Sequence, residues 1–193
     1  QMVNMVSKKT LASAIITGQG GLGKSYTVIK ALKDHGFTDT SDLAIFDENP
    51  SIKLSKSYRV IKGFSTAKGL YRTLFESNGQ VIIFDDCDSI LKDSTALNIL
   101  KGALDSYGER WISWNTDMRE SDLPLSYMFT GSIIFISNLD LERVDQAIRT
   151  RAMCIDLSMT QEQKIERMQT LVDSSNFLPD YVYEYKQDAL DFI

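Results

Sequence analysis

The chain of 193 residues has little of several features that define whole classes of protein. Neither of its two cysteines has the spacing of a metal-ligand set, so ordinary buried thiols are expected at Cys87 and Cys154. The single histidine, His35, precedes a glycine at a predicted helix end, which favours a capping or surface role over a catalytic one. The sequence also lacks internal repeats and low-complexity segments.

Long apolar runs are missing as well. No stretch of the sequence is long enough to cross a bilayer, and the first nine residues lack the apolar run of a secretory signal. These absences lead us to expect a cytoplasmic protein that does not work in a membrane.

Positive charge is scarce, since 21 Lys and Arg residues face 26 Asp and Glu residues and the formal net charge is −5. Proteins that coat nucleic acids gain affinity from clustered basic side chains, so this composition excludes a general coat protein. It does not exclude a motor, because a ring can present a few basic side chains to its central pore. With 43% hydrophobic and 24% charged residues, the chain can bury the core of one compact α/β domain.

A glycine-rich motif lies between an apolar strand and a helical pattern. Residues 18–25 fit Gly-x4-Gly-Lys-Ser/Thr, the pattern of a P-loop. In such a loop the backbone N–H groups point at phosphate oxygens, the lysine reaches the β- and γ-phosphates, and the serine hydroxyl can ligate Mg²⁺. The motif predicts a site for ATP and Mg²⁺ formed by Gly18, Gln19, Gly20, Gly21, Leu22, Gly23, Lys24, Ser25 and Tyr26.

The second half of a nucleotide site is predicted at residues 81–88. A continuous apolar run ends in Asp85 and Asp86, as in a strand that is buried on both faces and delivers two carboxylates to its C-terminal edge. Ligands bind beside the carboxyl ends of parallel strands, so this edge lies beside the P-loop if the two strands are near neighbours. In this Walker B arrangement Asp85 holds Mg²⁺, directly or through water, and Asp86 orients the attacking water as general base. An acidic turn after a core strand is the alternative, and Cys87 and Asp88 are given no role beyond it.

Predicted strands alternate with predicted helices along the chain. The strands cover residues 11–17, 58–61, 81–85, 133–137 and 154–157, and the helices cover residues 24–35, 65–75, 94–104 and 161–172. This alternation predicts an α/β fold, a three-layer α/β/α sandwich around five parallel strands. Residues 44–46 are a possible further strand. The predicted helix caps are Ser65, Asp93 or Ser94, and Thr160.

The order of these motifs resembles that of the AAA+ ATPases over about residues 10–175. A third apolar run ends in Asn138, and Arg149 and Arg151 precede the last strand. The resemblance implies that Asn138 is sensor 1, which helps to place the attacking water. It also implies that Arg149 or Arg151 is an arginine finger, projected into the next subunit of a homo-oligomeric ring that we expect to be a hexamer. Arg151 is the first choice because it lies closer to the final strand; for either arginine, the alternative is a cation that complements a helix C-terminus.

The two acids Asp85 and Asp86 make the resemblance to one branch of the AAA+ ATPases more specific. Many AAA+ proteins carry Asp-Glu at this place, whereas Asp-Asp is usual in the superfamily 3 viral helicases, a branch of the same group. The third motif of those helicases also ends in Asn, as at Asn138. This similarity favours a viral or phage ATPase that acts in DNA replication.

One candidate for contact with a polymer follows the second of the five predicted strands. Lys62 and Phe64 lie in a short loop at the place where AAA+ translocases carry a pore loop with an aromatic residue beside glycine. The resemblance implies that both side chains face the channel of the ring. The alternative is an ordinary strand-to-helix turn in which Phe64 packs as a hydrophobic staple.

The other candidate is the long connection at residues 107–130. Alternating side chains predict a hairpin there, similar to the pre-sensor-1 hairpin of helicases and replication initiators. Basic residues for phosphate contact would be Lys101, Arg110 and Arg119, and stacking platforms for bases would be Trp111 or Trp114. The alternative is that these aromatic residues pack under a surface loop.

The resemblance implies a nucleotide-binding core at residues 1–158 and the beginning of a small helical lid at residues 159–193. No arginine follows Arg167, so the sensor 2 arginine that such lids usually carry has no counterpart, and an incomplete lid is expected. The predicted function is Mg²⁺-dependent ATP hydrolysis by a ring-forming ATPase coupled to translocation or remodelling, with nucleic acid as the favoured substrate. The alternatives are a protein-remodelling ATPase and a partner-stimulated ATP switch or loader subunit.

Overall fold

The computed structural model describes residues 1–42, 56–63, 66–105, 108–114, 123–174 and 177–192. The chain divides into two compact units, Gln1–Leu157 and Ser158–Ile193. The elements of the first unit are α1 (Met2–Ser7), β1 (Ser13–Thr17), α2 (Lys24–Asp34), β2 (Thr38–Asp39), β3 (Ser57–Lys62), α3 (Ala67–Glu76), β4 (Val81–Asp85), α4 (Ser94–Ala103), β5 (Trp111–Ser113), β6 (Ser126–Met128), β7 (Ser132–Ile136), a 3-10 turn (Leu141–Arg143), α5 (Gln146–Arg149) and β8 (Met153–Asp156). The second unit contains α6 (Gln161–Val172) and α7 (Tyr183–Asp191).

Six strands of the first unit form one parallel sheet in the order β2-β3-β4-β7-β1-β8. The prediction of an α/β fold with a parallel sheet is confirmed, but the count of five strands is too low. The strand that was missed, β2, lies at the edge of the sheet and has two exposed residues, so no apolar run marks it in the sequence. The possible strand at residues 44–46 falls outside the described residues.

The central strands are apolar because both faces of the sheet are covered. Every residue of β1, β4 and β7 is buried. Along these strands the side chains alternate between two clusters. Ile15 and Phe84 pack with residues of α3, α4 and α5 on one face, whereas Ile16 and Ile83 pack with residues of α1 and α2 on the other. The first unit is therefore the three-layer sandwich that the sequence predicts.

Polar side chains set the starts of several helices. Thr66, and not the predicted Ser65, is the N-cap of α3, because its hydroxyl accepts a hydrogen bond from the N–H three residues on; Ser65 lies outside the described residues. Asp93 caps α4 in the same way, which selects it over Ser94. Thr160 begins α6 with a reciprocal capping box, as predicted.

Strands β5 and β6 form the predicted hairpin as a separate antiparallel pair. Trp111 lies opposite Met128, and Ile112 lies opposite Tyr127. Ile112 and Tyr127 are buried against the core, whereas the outward Trp111 is 56% exposed. The connection at residues 115–122, including Arg119, is outside the part of the chain that the structure describes.

In the second unit, α6 and α7 pack against each other. The Gln169 amide donates a hydrogen bond to the Gln187 side-chain oxygen at 3.0 Å, and a groove of about 240 Å³ is lined by apolar side chains that include Met168, Phe177 and Leu190. That this unit is the start of a lid stays a prediction. Among the helices of the described segments, none is both long and apolar enough to cross a bilayer.

Candidate functional site

The loop between β1 and α2 turns sharply at the carboxyl end of a central strand. Gly18, Gly21 and Gly23 have φ values of 135°, 80° and 72°, a region that residues with a β-carbon rarely adopt. Gly18 is also packed closely, because a β-carbon added there would lie 2.4 Å from the Leu157 carbonyl oxygen. The loop leads into α2 with its backbone curled at the helix N-terminus, the geometry that binds phosphate.

Lys24, the first residue of α2, is only 6% exposed. Its ammonium donates hydrogen bonds to the carbonyl oxygens of Gly18 at 2.6 Å and Gln19 at 2.8 Å, and to Oδ1 of Asn138 at 2.8 Å. Burial lowers the pKa of Lys24, and the nearby carboxylates, Asp86 first among them, oppose this effect. The Lys24 ammonium is therefore held in place inside the loop, in a position to bind an anionic group.

Asp85 ends β4 at the same edge of the sheet. Its Oδ1 accepts a hydrogen bond from the Ser25 hydroxyl at 2.7 Å, and its Oδ2 lies 3.5 Å from the Lys62 ammonium. Lys62 ends β3 directly beside Asp85, and its side chain is 69% exposed. Ser25 and Asp85, predicted from two separate motifs, are therefore in contact. Lys62, predicted to face a channel, makes an ion pair with Asp85.

Asp86 follows with an unusual backbone, at a φ of 56°. Its N–H donates to the Ile136 carbonyl at 3.0 Å, and its Oδ1 accepts a hydrogen bond from the Asn138 amide at 2.7 Å. The lysine ammonium can only donate and the carboxylate can only accept, so the Asn138 side chain has one possible orientation, with its oxygen on Lys24 and its nitrogen on Asp86. Asn138 thus bridges the cation and the carboxylate.

These groups surround a cavity of about 160 Å³ lined by residues 20–26 together with Asp85, Asp86, Ile136 and Asn138. This volume suits the phosphates of a nucleotide, because pockets for a whole ligand of drug size exceed about 300 Å³. Within the described segments no three His, Cys, Asp or Glu side chains form a metal cage. A site with one serine and one carboxylate fits Mg²⁺, which is usually held by one or two protein ligands together with substrate phosphates.

The two arginines lie apart from this cavity. Arg149 ends α5 and Arg151 leads into β8 at the edge of the sheet, and neither lines the P-loop cavity. The Arg151 guanidinium donates to the Ala147 carbonyl at 2.9 Å, which is the interaction with a helix C-terminus given above as the alternative. Both arginines are half-buried, and the Nε of each has no hydrogen-bond partner among the described residues.

The predicted polymer contacts are placed very differently from one another. The Arg110 guanidinium donates to the carbonyls of Ala103 at 3.0 Å and Gly131 at 2.8 Å, and burial lowers its pKa, so it braces the hairpin. Trp114 packs on Tyr71 with ring centroids 5.8 Å apart. These two placements match the packed alternative. Trp111 is exposed.

Phe64 lies outside the described residues, so its position in a pore loop stays a prediction.

Several contacts near the site join residues to which the sequence analysis assigns no functional role. Asp88 accepts a hydrogen bond from the Ser137 hydroxyl at 2.5 Å. Cys87 is buried with its thiol 3.4 Å from the Ile61 carbonyl, and burial raises its pKa to about 11. The buried thiol predicted for Cys87 is confirmed, whereas Cys154 is half-buried.

Comparison with known proteins finds a related phage protein and a solved structure with a similar fold. The chain is 28% identical to a protein of Enterobacteria phage T4 described as an uncharacterized 36.7 kDa protein in the nrdC-mobD intergenic region, over 92% of this chain and 54% of that protein. The chain thus spans about half the length of this relative. RuvB of Thermotoga maritima, solved as a mutant, matches with a TM-score of 0.54 over 89% of this chain and 48% of the RuvB chain, at 10% identity. This likeness is one of fold, and it agrees with a P-loop NTPase sandwich. No protein-family model matches the chain.

Proposed function

We propose that the chain binds ATP with Mg²⁺ at residues 18–26 and hydrolyses it as a subunit of an AAA+ ring that acts on nucleic acid. The observation that carries this proposal is the bridge from Lys24 through Asn138 to Asp86, with the Ser25–Asp85 contact beside it. Three motifs that are far apart in the sequence supply these residues. Their convergence on one cavity supports phosphoryl transfer over simple anion binding.

Each residue has a role in this proposal. Lys24 exchanges its two loop carbonyls for the β- and γ-phosphate oxygens, while Asn138 keeps the ammonium in place. Asn138 also donates to Oδ1 of Asp86, so Oδ2 is the oxygen that accepts a proton from the attacking water. Ser25 and Asp85 would hold Mg²⁺, which would neutralise charge on the phosphates.

The arginine finger is proposed to act between subunits. A finger must reach the phosphates, yet neither Arg149 nor Arg151 lines the P-loop cavity of its own subunit. Both precede β8 at an edge of the sheet, and each keeps a buried Nε that lacks a partner within the described segments. Arg151 remains the first choice, and a homo-oligomeric ring, expected to be a hexamer, would bring it to the neighbouring site.

Nucleic acid is favoured as the substrate by the resemblance of Asp85-Asp86 to the superfamily 3 helicases and by the phage origin of the T4 relative. Trp111 is the exposed aromatic of the hairpin and can offer a stacking platform. Lys62 and Phe64 remain proposed pore-loop contacts. A protein-remodelling ATPase would depend on Phe64 and ignore DNA, and a switch or loader subunit would bind ATP tightly and hydrolyse it slowly without a partner.

The test compares equilibrium binding of a fluorescent ATP analogue with steady-state ATP hydrolysis. Lys24→Ala is expected to abolish binding, whereas Lys33→Ala, an exposed lysine on the same helix, is the matched control and should leave binding unchanged. Asp86→Asn is expected to keep binding and to lower the hydrolysis rate at least about 100-fold, because it removes the general base. Nucleotide binding that survives Lys24→Ala would overturn the assignment.

A further inference from the structure

The loop after β4 is fastened to the end of β7 at three points. The Asp86 N–H donates to the Ile136 carbonyl at 3.0 Å, and the Asn138 amide donates to Oδ1 of Asp86 at 2.7 Å. Between these two contacts the Ser137 hydroxyl donates to Oδ1 of Asp88 at 2.5 Å. The acid-bearing loop and the end of β7 are thus joined residue by residue.

The Ser137 hydroxyl is also a hydrogen-bond acceptor. It accepts a hydrogen bond from the Leu139 N–H at 3.0 Å, and Ser137 is 1% exposed. One buried hydroxyl therefore ties Ser137, the residue before Asn138, to the Asp88 carboxylate and also binds the N–H of Leu139, the residue after Asn138. We call this set of Asp88, Ser137 and Leu139 the clamp.

Asn138 needs such support because its own side chain is exposed. An exposed amide loses rotamer freedom when it bridges two charged groups, and small shifts of its backbone would break one of the two contacts. Both contacts depend on where residue 138 sits relative to α2 and to the loop after β4. The clamp fixes that position without touching the cavity, because neither Asp88 nor Ser137 lines it.

We propose that Asp88 and Ser137 are positioning residues for the hydrolysis, since they hold Asn138 between Lys24 and Asp86. This proposal rests on the proposed function. Misplacement of a catalytic group by about 1 Å can cost about 100-fold in rate. Loss of the clamp should therefore lower the turnover number and leave nucleotide affinity nearly intact, because the loop and Lys24 that bind phosphate remain.

The test uses all 193 residues with Ser137→Ala, and Ser137→Thr as the conservative variant that keeps a hydroxyl. Ser137→Ala is expected to lower kcat about 10- to 100-fold with the affinity for a fluorescent ATP analogue changed less than about 3-fold, and Ser137→Thr to restore most of kcat. Ser132→Ala, which removes the buried serine hydroxyl at the other end of β7, is the matched control and should keep the wild-type kcat. Asp88→Asn retains an oxygen acceptor and should lose less activity than Asp88→Ala.

A second readout does not depend on hydrolysis. The Leu139 amide hydrogen should exchange with solvent about 10-fold faster in Ser137→Ala than in the wild type, because its acceptor is gone, while the amides inside β7 keep their rates. Unchanged exchange, or a kcat of Ser137→Ala within about 2-fold of wild type, would overturn the clamp. A wild-type protein that shows no hydrolysis under any condition would instead count against the proposed function, and the exchange experiment would still decide the clamp.

Discussion

At the scale of single residues, the backbone of Asp86 explains how two successive acids serve different partners. A positive φ costs a residue with a β-carbon about 1 kcal/mol or more, and such residues cluster at functional sites. Here the left-handed turn directs Asp86 to Asn138, while Asp85 stays on Ser25 and Lys62. Asn tolerates this conformation as Asp does, so Asp86→Asn should test the chemistry without unfolding the site.

Gly18 gives a stability prediction at the same scale. A β-carbon at Gly18 would lie 2.4 Å from the backbone oxygen of Leu157, at a φ of 135°, so Gly18→Ala should lower the free energy of unfolding by about 2–4 kcal/mol. Gly20→Ala is the matched control, since a β-carbon there meets nothing closer than Asn138 Oδ1 at 3.9 Å. Urea unfolding measures both variants. Equal losses of stability in the two would show that the close approach at Gly18 has no energetic weight.

Cys87 predicts a dependence of stability on pH. Burial raises the pKa of its thiol from about 9 to about 11, so the folded protein holds this proton more tightly than the unfolded chain does. The stabilising contribution is complete below pH 9 and is lost as the pH rises from 9 to 11, at up to about 1.4 kcal/mol per pH unit. Urea midpoints at pH 8, 9 and 10 should fall less steeply in Cys87→Ala than in the wild type. Parallel curves would contradict this prediction, and Cys154→Ala, at a half-buried thiol, should change the slope less.

At the scale of elements, the parts that the sequence predicts are those with a local signal. The apolar runs of β4 and β7 and the P-loop before α2 each lie within a few consecutive residues, and the structure has them where predicted. Strand β2 has no apolar run, and it was missed. The contact between Ser137 and Asp88 joins residues 49 positions apart, and it depends on β4 and β7 being neighbours, which no local pattern reveals.

The hairpin shows a different limit of sequence patterns. Alternation predicts two strands, but it does not say which side chains are committed to packing. Arg110 and Trp114 have the residue types of a nucleic-acid contact, yet one bonds two backbone carbonyls and the other packs on Tyr71. Trp111 has the same residue type as Trp114 and faces outwards. Burial, which depends on the whole fold, separates them.

The structural role of Arg110 can be measured. Arg110→Ala should lower the free energy of unfolding by about 2–3 kcal/mol, because it leaves two carbonyls without their donor and removes a cation–π contact with Phe129 at 5.1 Å. Trp111→Ala, at the neighbouring exposed position, should cost about 1 kcal/mol or less. Chemical denaturation compares the two variants. A larger loss in Trp111→Ala than in Arg110→Ala would reverse the roles given to them.

At the scale of the whole molecule, a net charge of −5 restricts how a nucleic acid could be held. Affinity for phosphates comes from local basic side chains and falls with salt in proportion to their number. A single subunit with a net negative charge would bind weakly, whereas a ring repeats each cation in every subunit. Polymer binding and hydrolysis are therefore both expected to depend on assembly, which makes protein concentration the informative variable.

Assembly into a ring predicts that two inactive variants restore ATP hydrolysis when they are mixed. Arg151→Ala keeps its own Lys24–Asn138–Asp86 bridge but lacks a finger, and Asp86→Asn keeps a finger but lacks the general base. Each variant alone should hydrolyse ATP at least about 100-fold more slowly than wild type. If Arg151 acts on the neighbouring subunit, an equimolar mixture should recover activity, because about a quarter of the interfaces in a mixed ring pair an intact site with an intact finger.

The mixing experiment is a steady-state ATPase assay over a range of protein concentrations, with and without single-stranded DNA. Arg149→Ala in place of Arg151→Ala decides which arginine supplies the charge, since only the variant of the true finger is rescued by Asp86→Asn. Each variant assayed alone at the same total protein concentration gives the baseline. A mixture that stays at this baseline while each variant still binds ATP would exclude a finger in trans. The guanidinium of Arg151 would then keep only the role it has within its own subunit, on the Ala147 carbonyl at the end of α5.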